Sequence, residues 1–320
     1  ADYNTAVGTD ALSANTTGTF NVAVGSLALD ANTTADRNIA VGHSALGVNT
    51  EGAKNTVVGT FAMEDNTTGT ENTAIGHDAL ANNTTANNNT AIGANALLAN
   101  TTGANNVAIG MKALEDNTTA SNNVAIGYLA ADANTTGAEN VAIGKSALSA
   151  NTTATANTAV GFNTLALNTT GASNVAIGKD ALDSNTTASN NVAVGVDCLQ
   201  ANTTGGNNTG VGLQALSTCS TGSNNTGLGV NAGVNQTTAS QNTLVGSLAG
   251  DSIVDGSNNI MFGYNVDVSA TGRSELVIAT AEVGKGDGTG FIAPPGNGSM
   301  FQGNNSSSWA TTSDIRIKKN

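Results

Sequence analysis

The residues best equipped for chemistry in this sequence are two histidines, two cysteines and a few adjacent carboxylates, and all of them fall within a 17-residue period. His43 and His77 occupy the same phase two periods apart. At the ~4.8 Å spacing of stacked strands that is roughly 9.6 Å, too far for one metal ion. Cys198 and Cys219 sit three and seven residues after their respective glycines, so stacking does not bring them together. They are expected as two free thiols, one in an Ala slot and one in an Asn slot. Glu64-Asp65 and Glu115-Asp116 stand in variable turn positions and read as solvated charge rather than as acid and base. The Gly-x-Gly at Gly210 and Gly212 is a variant of the repeat, not a phosphate loop. No cofactor site, metal site or catalytic triad is expected from these residues.

The period that governs them is set by a short stretch such as Asn106-Val107-Ala108-Ile109-Gly110. Its glycine returns every 17 residues from Gly8 to Gly263, sixteen times without insertion or deletion. The consensus is N-[VT]-A-[VI]-G-x-x-A-L-x-x-N-T-T-[GA]-x-x. Asn, Thr and Gly recur too often for a helix. The first five residues read as a strand, with Val22 and Val24 on one face and Asn21, Ala23 and Gly25 on the other. A second short segment carries Ala28 and Leu29 on opposite faces, and Asn32-Thr33-Thr34-Ala35 makes the turn. The fold class expected is all-β: a parallel β-solenoid or β-roll of sixteen 17-residue coils.

Stacking converts each position into a column. The Leu column (Leu12, Leu29, Leu46) and the aliphatic column before each Gly are expected to form the coil core. Asn columns such as Asn89, Asn106 and Asn123 should bond amide to amide from coil to coil. Thr101, Thr118 and Thr135 form a β-branched stripe. The Ala columns (Ala23, Ala40, Ala74 and Ala28, Ala45, Ala79) are expected to face identical chains in a closed ring. Residues after each Gly vary freely, from His43 to Met111 to Lys179, as solvent-facing positions do.

The whole composition agrees with a thin repetitive core. Aromatic residues are 3 % and charged residues 10 % of the chain, and the formal net charge is −13. An acidic chain repels nucleic acid and anionic membrane surfaces, and no stretch is long and apolar enough to span a bilayer. With no signal-peptide pattern at Ala1, a fragment or processed product is expected. Residues 1–263 form the repetitive shaft and 264–283 its capping strands. Residues 284–312 read as a Gly/Asn/Ser-rich neck, in which Phe301 and Trp309 serve as axis anchors or as an exposed tip.

The NVAIG and NTAIG cores, over about residues 4–263, resemble the SVAIG repeats in head domains of trimeric autotransporter adhesins, with a longer repeat unit here. That resemblance implies a homotrimeric β-roll. The segment Ser313-Asp314-Ile315-Arg316-Ile317-Lys318-Lys319-Asn320 resembles the S-D-x-R-x-K-x-N opening of the self-cleaving intramolecular chaperone domains of phage fibres. The resemblance assigns Ser313 as nucleophile and Lys318 as its activating base, with Asp314 beside the cut, for a single-turnover autocleavage in a longer precursor. The body of such a domain is not in this sequence, so residues 313–320 mark only its start and the chain as given is not expected to be an enzyme.

The function expected is therefore structural: a bacteriophage tail fibre or appendage in the virion, mediating host attachment. Its partners would be itself as a homotrimer, other virion tail proteins, and a host cell-surface receptor, glycan or protein. A bacterial trimeric adhesin head at the cell surface is the alternative. An ice-binding solenoid is a second, because Thr stacks in ladders; adjacent Thr residues point to opposite faces of a strand, which counts against it.

Overall fold

The computed structural model describes residues 2–269, 272–293, 300–302 and 310–311, the last two segments by their backbone. The chain divides into two compact units, Ala1–Thr170 and Gly171–Asn320. Among the described residues there is no helix; the fold is a parallel β-solenoid.

The first unit carries ten three-residue strands: β1 (Thr5–Val7), β2 (Val22–Val24), β3 (Ile39–Val41), β4 (Thr56–Val58), β5 (Thr73–Ile75), β6 (Thr90–Ile92), β7 (Val107–Ile109), β8 (Val124–Ile126), β9 (Val141–Ile143) and β10 (Thr158–Val160). Each pairs in parallel with the next in register, Ala23 against Ala40 and Ala108 against Ala125. The backbone ladder runs both ways: the Thr5 N–H donates to the Asn21 carbonyl and the Gly25 N–H to the Val7 carbonyl, each at 2.8 Å.

Each coil has one strand, not two. Ala28 and Leu29 lie in a turn, where Leu27 and Leu29 take φ of 59° and 50°. Two left-handed residues so close together cancel the alternation expected of a strand, and both Ala28 and Leu29 point inward with no exposure. The invariant glycine closes the other corner. Gly110 has φ +129°, and a Cβ on it would lie 2.6 Å from the Gly127 carbonyl oxygen of the next coil. Only glycine satisfies both conditions.

The burial pattern reverses two expectations. The Ala columns, expected outside, are the core: Ala23, Ala40, Ala74, Ala28, Ala45 and Ala79 are all fully buried, beside the Leu column. The aliphatic column before each glycine, expected inside, faces outward, and Val58 and Ile75 are each 37 % exposed. The cause is the narrowness of a 17-residue coil. Its lumen takes Ala from the strand wall, Ala and Leu from the opposite wall, and Asn at the corners, leaving no room for a branched side chain from every strand.

Two Asn columns are buried with them. In one, the Asn38 N–H donates to Asn21 Oδ1 at 2.9 Å, while Asn38 Nδ2 donates to the Gly52 carbonyl at 2.8 Å. In the other, amide meets amide, as Asn66 Nδ2 donates to Asn49 Oδ1 at 2.8 Å. The Thr column bonds differently: Thr50 Oγ1 donates to the Thr67 carbonyl at 3.2 Å.

The second unit repeats the plan with β11 (Val175–Ile177), β12 (Val192–Val194), β13 (Thr209–Val211), β14 (Thr226–Leu228), β15 (Thr243–Val245), β16 (Ile260–Phe262), β17 (Leu276–Ile278) and β18 (Gly290–Ile292), all parallel. β19 (Met300–Gln302) and β20 (Ala310–Thr311) then pair antiparallel. The loss of Leu at Gly233 and Gly250 does not end the solenoid. Leu244, in an Ala column, fills the space from the strand side, with its Cδ atoms 2.7 Å from a Cβ built on Gly233 and 2.8 Å from one built on Gly250. The stretch 284–312, read from sequence as a neck, contains β18, whose Phe291 is buried.

Candidate functional site

The outward strand face is the surface most unlike ordinary protein exterior. Alternation along each three-residue strand turns the middle residue in and both flanking residues out. In the first unit this makes two parallel rows. One row is Val or Ile without exception, from Val7 and Val24 to Ile143 and Val160. The other mixes Thr with Val and Ile, as at Thr73, Thr90, Val107 and Val124. Neither row holds a charged residue. Stacking covers the flanks of each side chain and leaves its tip in solvent, so most members of both rows are half-buried. Inside, meanwhile, the Asn pair of each coil of the first unit from Asn21 and Asn32 onward is almost wholly buried. The coil thus encloses amides and displays aliphatic groups.

Beside the aliphatic row runs the column that follows each glycine. It is exposed at His43, His77, Met111, Tyr128, Lys145 and Phe162. Lys145 Nζ lies 5.6 Å from the Phe162 ring centroid, a cation–π distance. His43 and His77 flank Phe61 edge-on, with centroids 5.3 and 6.1 Å away. The Nδ1 atoms of His43 and His77 contact the Ser26 carbonyl at 3.2 Å and Asp78 Oδ2 at 2.8 Å. The rings are therefore separated by an aromatic side chain and do not converge on one point. Among the described residues, no group of three potential metal ligands comes together.

The carboxylates on the wall opposite the strands are less solvated than their variable slots implied. Burial pushes the Asp132 carboxyl above its ordinary value, with nearby Asp116 and Glu115 adding to the rise. Burial, with repulsion from Asp180, does the same to Asp183. Glu115 is instead held by Lys112 at 3.0 Å. Asp36 moves the other way, because the Thr19 N–H and hydroxyl both donate to it.

Cys198 and Cys219 are free and fully buried. Burial raises the Cys198 thiol to about 12 and the Cys219 thiol to about 11. Cys198 stands in an Ala slot and is accommodated by Gly210, whose missing Cβ would lie 2.5 Å from its Sγ. Neither thiol has the exposure or depressed pKa of a nucleophile.

Ser313, Asp314 and Lys318, the residues assigned to autocleavage, lie outside the described residues, as does Trp309. The two adjacent Thr columns lie in a bend rather than in a strand: Thr50 is half-buried and bonded to a carbonyl, and the second Thr of a typical coil, such as Thr34 or Thr68, is exposed. What sequence reasoning missed was the outward strand face itself. Its signal was present in the two rows, one strictly aliphatic and one tolerant of Thr. No family model, no curated protein and no solved structure matches this chain.

Proposed function

We propose that this chain is the shaft of a homotrimeric fibre, a bacteriophage tail fibre or appendage that holds an attachment surface away from the virion. The observation that carries the reading is the uncharged aliphatic face displayed by coils that bury their amides. A continuous apolar patch of that kind on a soluble protein marks a contact surface. The cover that matches its chemistry and its 17-residue period is the same face of an identical chain, and identical chains close into rings. The contact lies on the Val/Ile face rather than on the Ala columns, which are used up inside the coil. The Ser313–Asn320 segment, by its resemblance to a fibre chaperone opening, favours a virion fibre over a bacterial adhesin head, which would use the same face. The shaft itself does no catalysis in this reading, and its ligand is a host surface glycan or protein.

Light scattering after gel filtration tests the assembly. The expected mass is three times the 31.4 kDa chain. Ile75→Asp with Ile92→Asp should convert it to single chains with unchanged β-sheet circular dichroism. A wild-type chain that is folded and monomeric would sink the fibre reading. Labelled trimer should then bind host bacteria, and periodate or protease treatment of the cells will separate a glycan receptor from a protein one.

A further inference from the structure

The two rows and the post-glycine column differ in a way that orients each chain within its assembly, an inference that rests on the trimer reading above. In the first unit the row before the glycine is aliphatic in every coil, whereas the row at the strand start accepts Thr5, Thr56, Thr73, Thr90 and Thr158. On the other side, the post-glycine column accepts His43, His77 and Lys145 among Met111, Tyr128 and Phe162. The strictly aliphatic row therefore lies between two flanks that both tolerate polar groups. Interfaces have this anatomy, with a dry centre excluding charge and a rim that admits hydroxyls and cations. A hydroxyl carried into a fully dry centre without a partner would be costly, so Thr marks positions where an acceptor or water remains within reach.

We infer that the row of Val41, Val58, Ile75, Ile92, Ile109 and Ile126 lines the three-fold axis. The strand-start row of each copy then packs against the post-glycine column of its neighbour. The second half follows from symmetry. Around a three-fold axis every contact is head-to-tail, so one flank of a chain meets the opposite flank of the next. Because the axis runs along the stacking direction, partners lie at the height of the same coil or one coil away.

Disulfide trapping in the full chain reads this out, since both native thiols are fully buried and do not compete. Three copies of Ile75→Cys would meet at the axis. Under mild oxidation three thiols make one disulfide and leave one over, so the expected product is covalent dimer plus single chain, with no covalent trimer. Thr73→Cys alone should cross-link poorly. Thr73→Cys combined with a post-glycine cysteine, at Thr60, His77 or Ala94, should close covalent trimers in at least one of the three pairings.

Ready dimer formation by Thr73→Cys alone, or the absence of covalent trimer in all three double variants, would overturn the orientation. Light scattering on the reduced proteins keeps the two questions apart. Trimeric mass with the wrong cross-links rejects only the orientation, whereas monomeric wild type rejects the trimer on which it stands.

Discussion

At the scale of single residues, the solenoid is governed by backbone conformations that side chains must tolerate and by amides that must be paired. Gly110→Ala places a side chain at φ +129° and 2.6 Å from a carbonyl oxygen. It should cost about 3–5 kcal/mol in urea unfolding, well beyond an ordinary surface change. The Asn column of the turn ends in three successive replacements, Cys219, Gln236 and Ile253. Cys219 stands in its column and bonds the Gly222 carbonyl weakly at 3.5 Å. Asn202 Oδ1 therefore has no donor from position 219, and Gln236, set between Cys219 and Ile253, has both polar atoms buried without a partner. Cys219→Asn restores a donor to Asn202 and should stabilise by about 1–2 kcal/mol, measured in the same assay. In the unaltered protein both thiols should resist alkylation at pH 8 until denaturant is added, because burial disfavours the thiolate.

At the scale of the coil, stability depends on what each turn offers to its neighbour. The residue two places before each strand-leading Asn has an N–H that needs an acceptor from the following coil. The Ala104 N–H finds Ser121 Oγ at 3.0 Å, and the Thr19 N–H finds Asp36 Oδ1 at 2.6 Å. The Asp36 N–H faces Ala53 in that place, which has no acceptor to offer. Ala53→Ser should add about 0.5–1.5 kcal/mol, seen as a higher urea midpoint with the same slope.

The carboxylate wall sets a pH dependence. Burial raises the carboxyls of Glu64, Asp132, Asp183 and Asp251. A carboxyl raised on folding binds its proton more tightly in the folded state, so its stabilising effect is full below the ordinary 3.8 for Asp or 4.5 for Glu. That effect is lost as pH rises through the folded value. Asp36 opposes this, since its stabilisation is present above 3.8 and fades as pH falls through its lowered value. The raised groups should make the melting temperature rise as pH falls toward the ordinary carboxylate range. Asp132→Asn should be more stable than wild type at pH 7 and lose that advantage toward pH 4. An Asp132→Asn variant no more stable than wild type at pH 7 would contradict this assignment.

At the scale of the molecule, repetition makes whole coils interchangeable. Each coil bonds to the coils directly above and below it through identical ladders, so the array is close to a one-dimensional stack. Removing residues 89–105, one full period of the first unit, joins Asn88 to Asn106 in the phase they already occupy. The shortened chain should keep its circular dichroism spectrum and a melting temperature within a few degrees of wild type. Removing half a period instead puts Leu and Asn on the wrong walls and should abolish cooperative unfolding.

The sequence by itself determined the architecture, because a 17-residue period with one glycine and two asparagines per turn leaves few alternatives to a stacked coil. It also carried the stacking of Asn and Thr into columns, since equal spacing must stack equal residues, but not all of their bonding. Asn106 meets Asn89 Oδ1 through its backbone N–H and gives its side-chain amide to the Ala120 carbonyl, while the amide-to-amide ladder runs in the other Asn column. What it did not determine was which apolar columns lie inside. Val24 and Ala23 are neighbours in a strand, and alternation says only that they face opposite ways. The larger, more hydrophobic residue is ordinarily the better core candidate. Here the lumen of a 17-residue coil is too narrow for it, and the left-handed turn at Leu27–Leu29 swings Ala28 and Leu29 inward together to fill the space. That choice between walls is a matter of volume in three dimensions. It moved the contact face from Ala23 and Ala28 to Val24, Val41 and Ile75, and only the tertiary structure decided it.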